Sequence, residues 1–206
     1  MTTYALFTGC RLGDCEPELV VKLYDSLRFQ IPDIDINCMC CGVSALKEDD
    51  MTGADEMAVQ IRTSWEKMGR PTFVCACPTC IKTLNEKLPE IPTVSLYKIL
   101  IDLGISGGCN SDPYYLWEDD EWIKSLAEDM GADIHARPEN TSDAEYPYIT
   151  CNINVRNMLL ASGSNAVHIL ELIFGMGDST VPSPEQMLRN RRELTDAMLE
   201  LFDKEI

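Results

Sequence analysis

The sequence predicts an α/β protein with two pseudo-repeated lobes. Each lobe would hold a short parallel sheet flanked by helices, with cysteine loops at the strand carboxyl ends. Three observations predict this. Short apolar runs alternate with segments of helical periodicity, the mark of a layered parallel unit. Cysteines fall just after three of the predicted strands, where the loops of a parallel sheet gather along one edge. The second half of the chain also echoes the first.

Residues 4–8 form a short apolar strand. Residues 9–15 read as a glycine-punctuated loop. Pro17 suits a first helical position, and Leu19, Val20, Leu23, Tyr24 and Leu27 mark a helix face to Gln30. Ile34 and Ile36 alternate with Asp33 and Asp35, as in a strand ending at Cys38-Met39-Cys40-Cys41-Gly42. Met57, Ala58, Ile61, Trp65 and Met68 recur at helical spacing and stop at Gly69-Arg70-Pro71. Residues 72–75 are a strand, and Cys77-Pro78-Thr79-Cys80 opens a helix to Leu88. A short strand at 93–96 and a helix to Gly104 complete the first lobe.

The echo is imperfect. Cys77-Pro-Thr-Cys80 aligns with Cys151-Asn-Ile-Asn154 at an offset of 74. Val94-Ser-Leu-Tyr matches His168-Ile-Leu-Glu at the same offset. Gly9-Cys10 aligns with Gly108-Cys109, and Ser26-Leu27 with Ser125-Leu126, at an offset of 99. The 25-residue difference is a deletion where a second Cys-Cys-Gly would stand; that stretch, from His135 to Glu145, is a polar loop. The division is therefore 1–104 for a first lobe, 105–178 for a degenerate second lobe, and 179–206 for a helical tail. In the tail, Ser183-Pro184-Glu185 starts a capped helix carrying Leu188, Leu194, Met198 and Leu201.

The chain has 206 residues, 45% of them hydrophobic and 25% charged, which is enough to bury a core without staples. Its ten cysteines are not needed for stability. The first residues lack the basic start and apolar run of a signal peptide, and no apolar stretch reaches the ~20 residues of a membrane span. A cytoplasmic protein rich in cysteine points to metal or redox chemistry. The net charge of −17 argues against nucleic acid and anionic membranes. Solubility is its plain reading; an acidic docking face for a basic partner is the sharper one.

Five cysteines stand out as cofactor and metal ligands: Cys10, Cys40, Cys41, Cys77 and Cys80. The spacing is Cys, 29 residues, Cys-Cys, 35 residues of which Gly42 is the first, Cys-x-x-Cys. Adjacent thiols on a regular strand face opposite ways, so Cys40 and Cys41 require a turn, which Gly42 permits. Cys77 and Cys80 begin a helix, where the dipole and free N–H groups stabilise thiolate. A tetrahedral zinc site takes four ligands, usually as two short pairs. Five thiolates with an adjacent pair suit a polynuclear iron–sulphur centre better. Zinc and redox thiols remain alternatives.

The pattern Gly-Cys … Cys-Cys-Gly … Cys-Pro-x-Cys resembles that of the CCG (cysteine-rich) domain family, which occurs in heterodisulfide reductase. The resemblance covers most of the chain, because members carry two such lobes in tandem. It implies that Cys10, Cys40, Cys41, Cys77 and Cys80 hold a 4Fe-4S cluster of the non-cubane type, one per chain. It further implies an electron-transfer subunit partnered by flavin and iron–sulphur subunits of a heterodisulfide-reductase-like complex. The second lobe departs from the pattern, which puts paired-cluster disulfide cleavage in doubt. The alternatives are a catalytic subunit reducing a disulfide or other small substrate at the one cluster, and a structural zinc-thiolate module.

Other residues carry plainer readings. Cys38 or Cys75 could replace a neighbour as ligand; burial as a small hydrophobe is the favoured role for both and for Cys15. Cys109 and Cys151 read as leftovers, with Cys151 at a junction where it could face a cavity. His168 reads as a core or interface residue. Trp117-Glu-Asp-Asp-Glu-Trp122 reads as a solvated helix start, its tryptophans, with Tyr114 and Tyr115, equally able to form an interface. Arg189-Asn-Arg-Arg192 is helix surface or a grip for an acidic partner.

Overall fold

The computed structural model describes residues 3–109, 111–176 and 180–203, with Phe202 and Asp203 described by their backbone alone. Strand β1 (Tyr4–Phe7) leads into α1 (Cys10–Cys15) and α2 (Pro17–Gln30). Then come β2 (Asp35–Asn37), α3 (Val43–Lys47), α4 (Met51–Lys67), β3 (Thr72–Cys75), α5 (Pro78–Lys87), β4 (Thr93–Ser95) and α6 (Leu96–Asp102). The second lobe runs β5 (Pro113–Leu116), α7 (Glu121–Asp129), β6 (Asp133–His135), a 3-10 turn (Thr141–Asp143), β7 (Tyr148–Thr150), α8 (Ile153–Ala161), β8 (Ala166–His168) and α9 (Ile169–Phe174). Helix α10 (Pro184–Asp203) closes the chain. The boundary expected at 178/179 lies outside the described residues.

Among the described residues the strands form two four-stranded parallel sheets, ordered β2-β1-β3-β4 and β6-β5-β7-β8. The shared order makes the lobes two copies of one topology. Each local choice is physically ordinary. Ala5, Leu6 and Phe7 are all buried, as expected of an inner parallel strand covered on both faces. Pro17 opens α2, whose Leu19, Val20, Leu23, Tyr24 and Leu27 form the buried stripe. Asp50 caps α4 by accepting from the Gly53 N–H at 2.9 Å, and Asp120 caps α7 through the Trp122 and Ile123 N–H groups. One apolar core joins both lobes, drawing Leu6, Val74 and Leu100 together with Tyr114, Ile149 and Leu170.

The register corrects the repeat. Cys75 pairs with Ser95 in the first sheet, and Thr150 with His168 in the second. Each of Cys75 and Thr150 is followed two residues on by a helix N-cap, Cys77 or Asn152. The helix-start offset is thus 75, not 74. Asn152 stands where Cys77 does, Cys151 matches Ala76, and Val155 matches Cys80. Ser95 matches His168, shifting that pairing by one as well. Gly108-Cys109 precedes β5 whereas Gly9-Cys10 follows β1, so that match is coincidence. Ser26-Leu27 and Ser125-Leu126 do fall in helices that follow equivalent strands.

Two further differences bear on the site. Residues 9–15 are not a loop: Gly9 turns the chain with φ of 70°, and α1 begins at once. Propensity gives way to packing there. Gly13 lies so close to α10 that a Cβ would come within 2.5 Å of a Leu194 methyl, and the Asn190 amide donates to the carbonyls of Asp14 (2.8 Å) and Cys15 (3.4 Å). Among the described residues, neither α1 nor the α3–α4 pair has a counterpart in the second lobe, where only residues 136–147 connect β6 to β7. Tyr114 and Tyr115 are buried inside that lobe, not offered as an interface; Tyr115 packs on Tyr146 and Tyr148.

Candidate metal centre

The carboxyl ends of β1, β2 and β3 lie side by side in the first sheet, and each delivers cysteine. Cys10 is the first residue of α1. Cys40 and Cys41 sit in the turn after β2, and Gly42, with φ of 86°, swings the chain into α3. Cys77 caps α5 and Cys80 lies in its first turn, with Pro78 at a position that needs no N–H.

These five thiols form one string. Cys10 lies within hydrogen-bond reach of Cys40, Cys40 of Cys41, Cys41 of Cys80, and Cys80 of Cys77. The string polarises. Donation from Cys10 and Cys41 pulls the Cys40 thiol far down, against the effect of burial. The Cys77 thiol falls to about 6 because Cys80 donates to it, helped by the backbone N–H groups of Cys80 and Thr79. Cys10, Cys41 and Cys80 are pushed up, each chiefly by donating to a neighbouring sulphur. Backbone donors also reach the sulphurs: Gly42 N–H lies 3.4 Å from Cys40 Sγ, and Val43 N–H serves Cys41. Gly9 leaves room for the last sulphur, since a Cβ there would stand 3.0 Å from Cys80 Sγ.

Among the described residues, no group of three or more His, Cys, Asp or Glu is arranged to hold a single metal ion. Two cavities flank them. One, of about 240 Å³, lies between the lobes, bordered by Cys10, Cys41, Cys77 and Cys80 on one side and Cys151, Asn152 and His168 on the other. The second, of about 430 Å³, lies under α10 and reaches Cys10, Cys38 and Arg191.

The remaining cysteines divide. Cys75 is buried beside Phe7 and Phe73 in a small apolar cluster, its thiol pushed up mainly by burial. Cys38 is exposed at the edge of the larger cavity, contrary to the expectation that it is a buried small hydrophobe. Cys15 is buried against the Asn157 amide at 3.4 Å, and Cys109 lies near Tyr114 in the second lobe. Cys151 is buried at the wall of the inter-lobe cavity and facing the cluster of thiols.

Several residues without a sequence motif organise the second wall. The Tyr97 hydroxyl lies 2.7 Å from the Ala76 carbonyl and 3.2 Å from the Cys151 carbonyl, tying equivalent turns of the two lobes. His168 caps α9: its Nδ1 accepts from the Leu170 N–H while the ring donates to the Cys151 carbonyl. Burial drives its pKa down to about 3, so it is neutral. Glu118, inside the acidic run expected to be solvated, turns inward to accept from Thr150 Oγ1 and the Cys151 N–H. Fully buried Arg156 on α8 bridges Glu16 and Glu171. Arg191 binds Asp14 within the chain, where the sequence suggested surface or an external grip. Comparison with protein-family models, with curated proteins and with solved structures returns no match.

Proposed function

We propose that the chain holds one 4Fe-4S cluster of the non-cubane type on Cys10, Cys40, Cys41, Cys77 and Cys80. It then serves as an electron-transfer subunit of a cytoplasmic complex resembling heterodisulfide reductase, partnered by flavin and iron–sulphur subunits. The observation that carries this reading is the convergence of five thiols from three strand ends into one continuous string.

The donor set fits the group. Polynuclear iron–sulphur centres are held by cysteine thiolates and tuned by hydrogen bonds to sulphur. Here the Cys40 and Cys77 thiols are held below their ordinary range by donors at sulphur, and the N–H groups of Gly42, Val43, Thr79 and Cys80 reach sulphur. Cys10, Cys41 and Cys80 would release their protons on loading. When bound, such a cluster supplies one-electron exchange. The protein's own part is to hold the sulphurs, aim the N–H dipoles and cover the centre with Cys151, Asn152 and His168 of the facing wall. A helix long and apolar enough to cross a membrane is absent among the described residues.

A second reading is reduction of a disulfide or other small substrate at the same centre. The cavity of about 430 Å³ that reaches Cys10 favours it. One measurement tests the common premise: iron, zinc and acid-labile sulphide on protein purified without oxygen. About four irons and four sulphides per chain are expected. About one zinc without sulphide would replace the redox reading with an assembly module.

A further inference from the structure

Helix α10 brings a positive charge to the cysteine string, and it does so through a fixed set of contacts. Cys10 and Asp14 are four residues apart on α1 and therefore share a face. The Asp14 side chain is only 5% exposed. Arg191 meets its carboxylate with two prongs, Nε to Oδ1 at 2.8 Å and Nη2 to Oδ2 at 2.6 Å. Such paired geometry orients as well as attracts. The neighbours of Arg191 lock the helix in place: Asn190 donates to the Asp14 and Cys15 carbonyls, and Leu194 packs on Gly13. Arg191 and Cys10 border the same cavity.

We infer that Arg191 is a positioning residue for the proposed centre: by neutralising buried Asp14 beside Cys10, it holds the reduction potential up. This rests on the cluster assignment. Reduction adds one electron, and therefore one negative charge, to whatever the five sulphurs hold. An uncompensated carboxylate one helical turn from Cys10 opposes that gain, and a guanidinium fixed against it restores the balance. The second lobe lacks a counterpart of α1 among the described residues, so the device belongs to the cysteine-bearing lobe alone.

The test is an anaerobic redox titration with dithionite, followed by visible bleaching and electron paramagnetic resonance, on protein assayed for iron. Arg191→Gln is expected to lower the midpoint potential and Asp14→Asn to raise it. The double variant should return toward the unmodified protein, and Arg191→Lys should stay near it. Opposite shifts at unchanged iron content are the signature, because loss of mere packing cannot give both signs. Unchanged potentials, or shifts of the same sign in both single variants, would overturn the inference. So would loss of iron from both, which makes the pair a clamp that retains the centre. An unmodified protein without iron and sulphide would instead sink the proposed function, and this inference with it.

Discussion

Cys77 and Asn152 occupy one position in two copies of the same fold. Each is the N-cap of the helix that follows the third strand of its sheet, and the Asn152 amide reaches across to Thr79 Oγ1 at 3.4 Å. A thiol stands at one position and an amide at its equivalent, so the two lobes share architecture but not side-chain chemistry.

That asymmetry predicts how cysteine variants behave. Cys41→Ser removes a central link of the string and should abolish iron binding. Cys109→Ser, remote beside Tyr114, should leave iron content unchanged. Iron and sulphide assays on the two purified variants decide the matter; the reverse pattern contradicts the ligand assignment.

Gly9→Ala tests the turn that aims Cys10. A side chain at φ of 70° and ψ of 162°, a region essentially reserved for glycine, costs about 1–3 kcal/mol, and its Cβ would crowd Cys80 Sγ. Lower stability and reduced iron retention are expected together. Gly108→Ala, with no atom within 4 Å of the added Cβ, should change neither. Equal effects of the two variants would revive the rejected alignment of Gly9-Cys10 with Gly108-Cys109.

Tyr97→Phe deletes the hydroxyl that two carbonyls share. Leaving buried acceptors short of a donor costs about 1–3 kcal/mol. The urea midpoint should fall with little change in the slope of the transition. An unshifted midpoint would show that the bridge between Ala76 and Cys151 contributes nothing.

Stability should also respond to pH through Glu171. Burial, first, and hydrogen bonding with Glu16 raise its carboxyl from the ordinary 4.5 to about 7, against the pull of Arg156 and the His168 N–H. One arginine serves two carboxylates, which titrate as a unit. The fold holds this proton more tightly than the unfolded chain does. The contribution is therefore complete below pH 4.5 and lost as pH rises through about 7. Glu171→Gln should flatten the difference in urea midpoint between pH 5 and pH 8 relative to the unmodified protein.

The sequence made the layered architecture legible because strand and helix periods are local. The spans of α2, β3 and the start of α5 follow directly from Pro17, from Thr72–Cys75 and from Cys77-Pro78. Convergence of Cys10, Cys40, Cys41, Cys77 and Cys80 was legible too, because parallel strands deliver their loops to one edge. Helix α1 is hidden: Gly13 and the preceding Gly9 argue for a loop, and packing against α10 favours the helix. Matching Cys77 to Cys151 misaligns the repeat by one residue, because identity of cysteines outweighs strand register, which no short alignment reveals. Tyr97, Arg156 and Glu118 carry no motif; their partners lie far away in sequence, and only packing declares them.

The clasp between Asp14 and Arg191 joins residues 177 positions apart. A ribosome adds residues at about 5–20 per second, amino end first. Cys10 thus emerges long before the helix that secures its own. Through most of synthesis the three cysteine-bearing turns can form, but the arm carrying Cys10 is unfastened. If the five thiols hold the proposed cluster, loading would wait until α10 has been made and has docked, and a nascent chain cut short before Arg191 would lack the clasp that fixes the helix carrying Cys10.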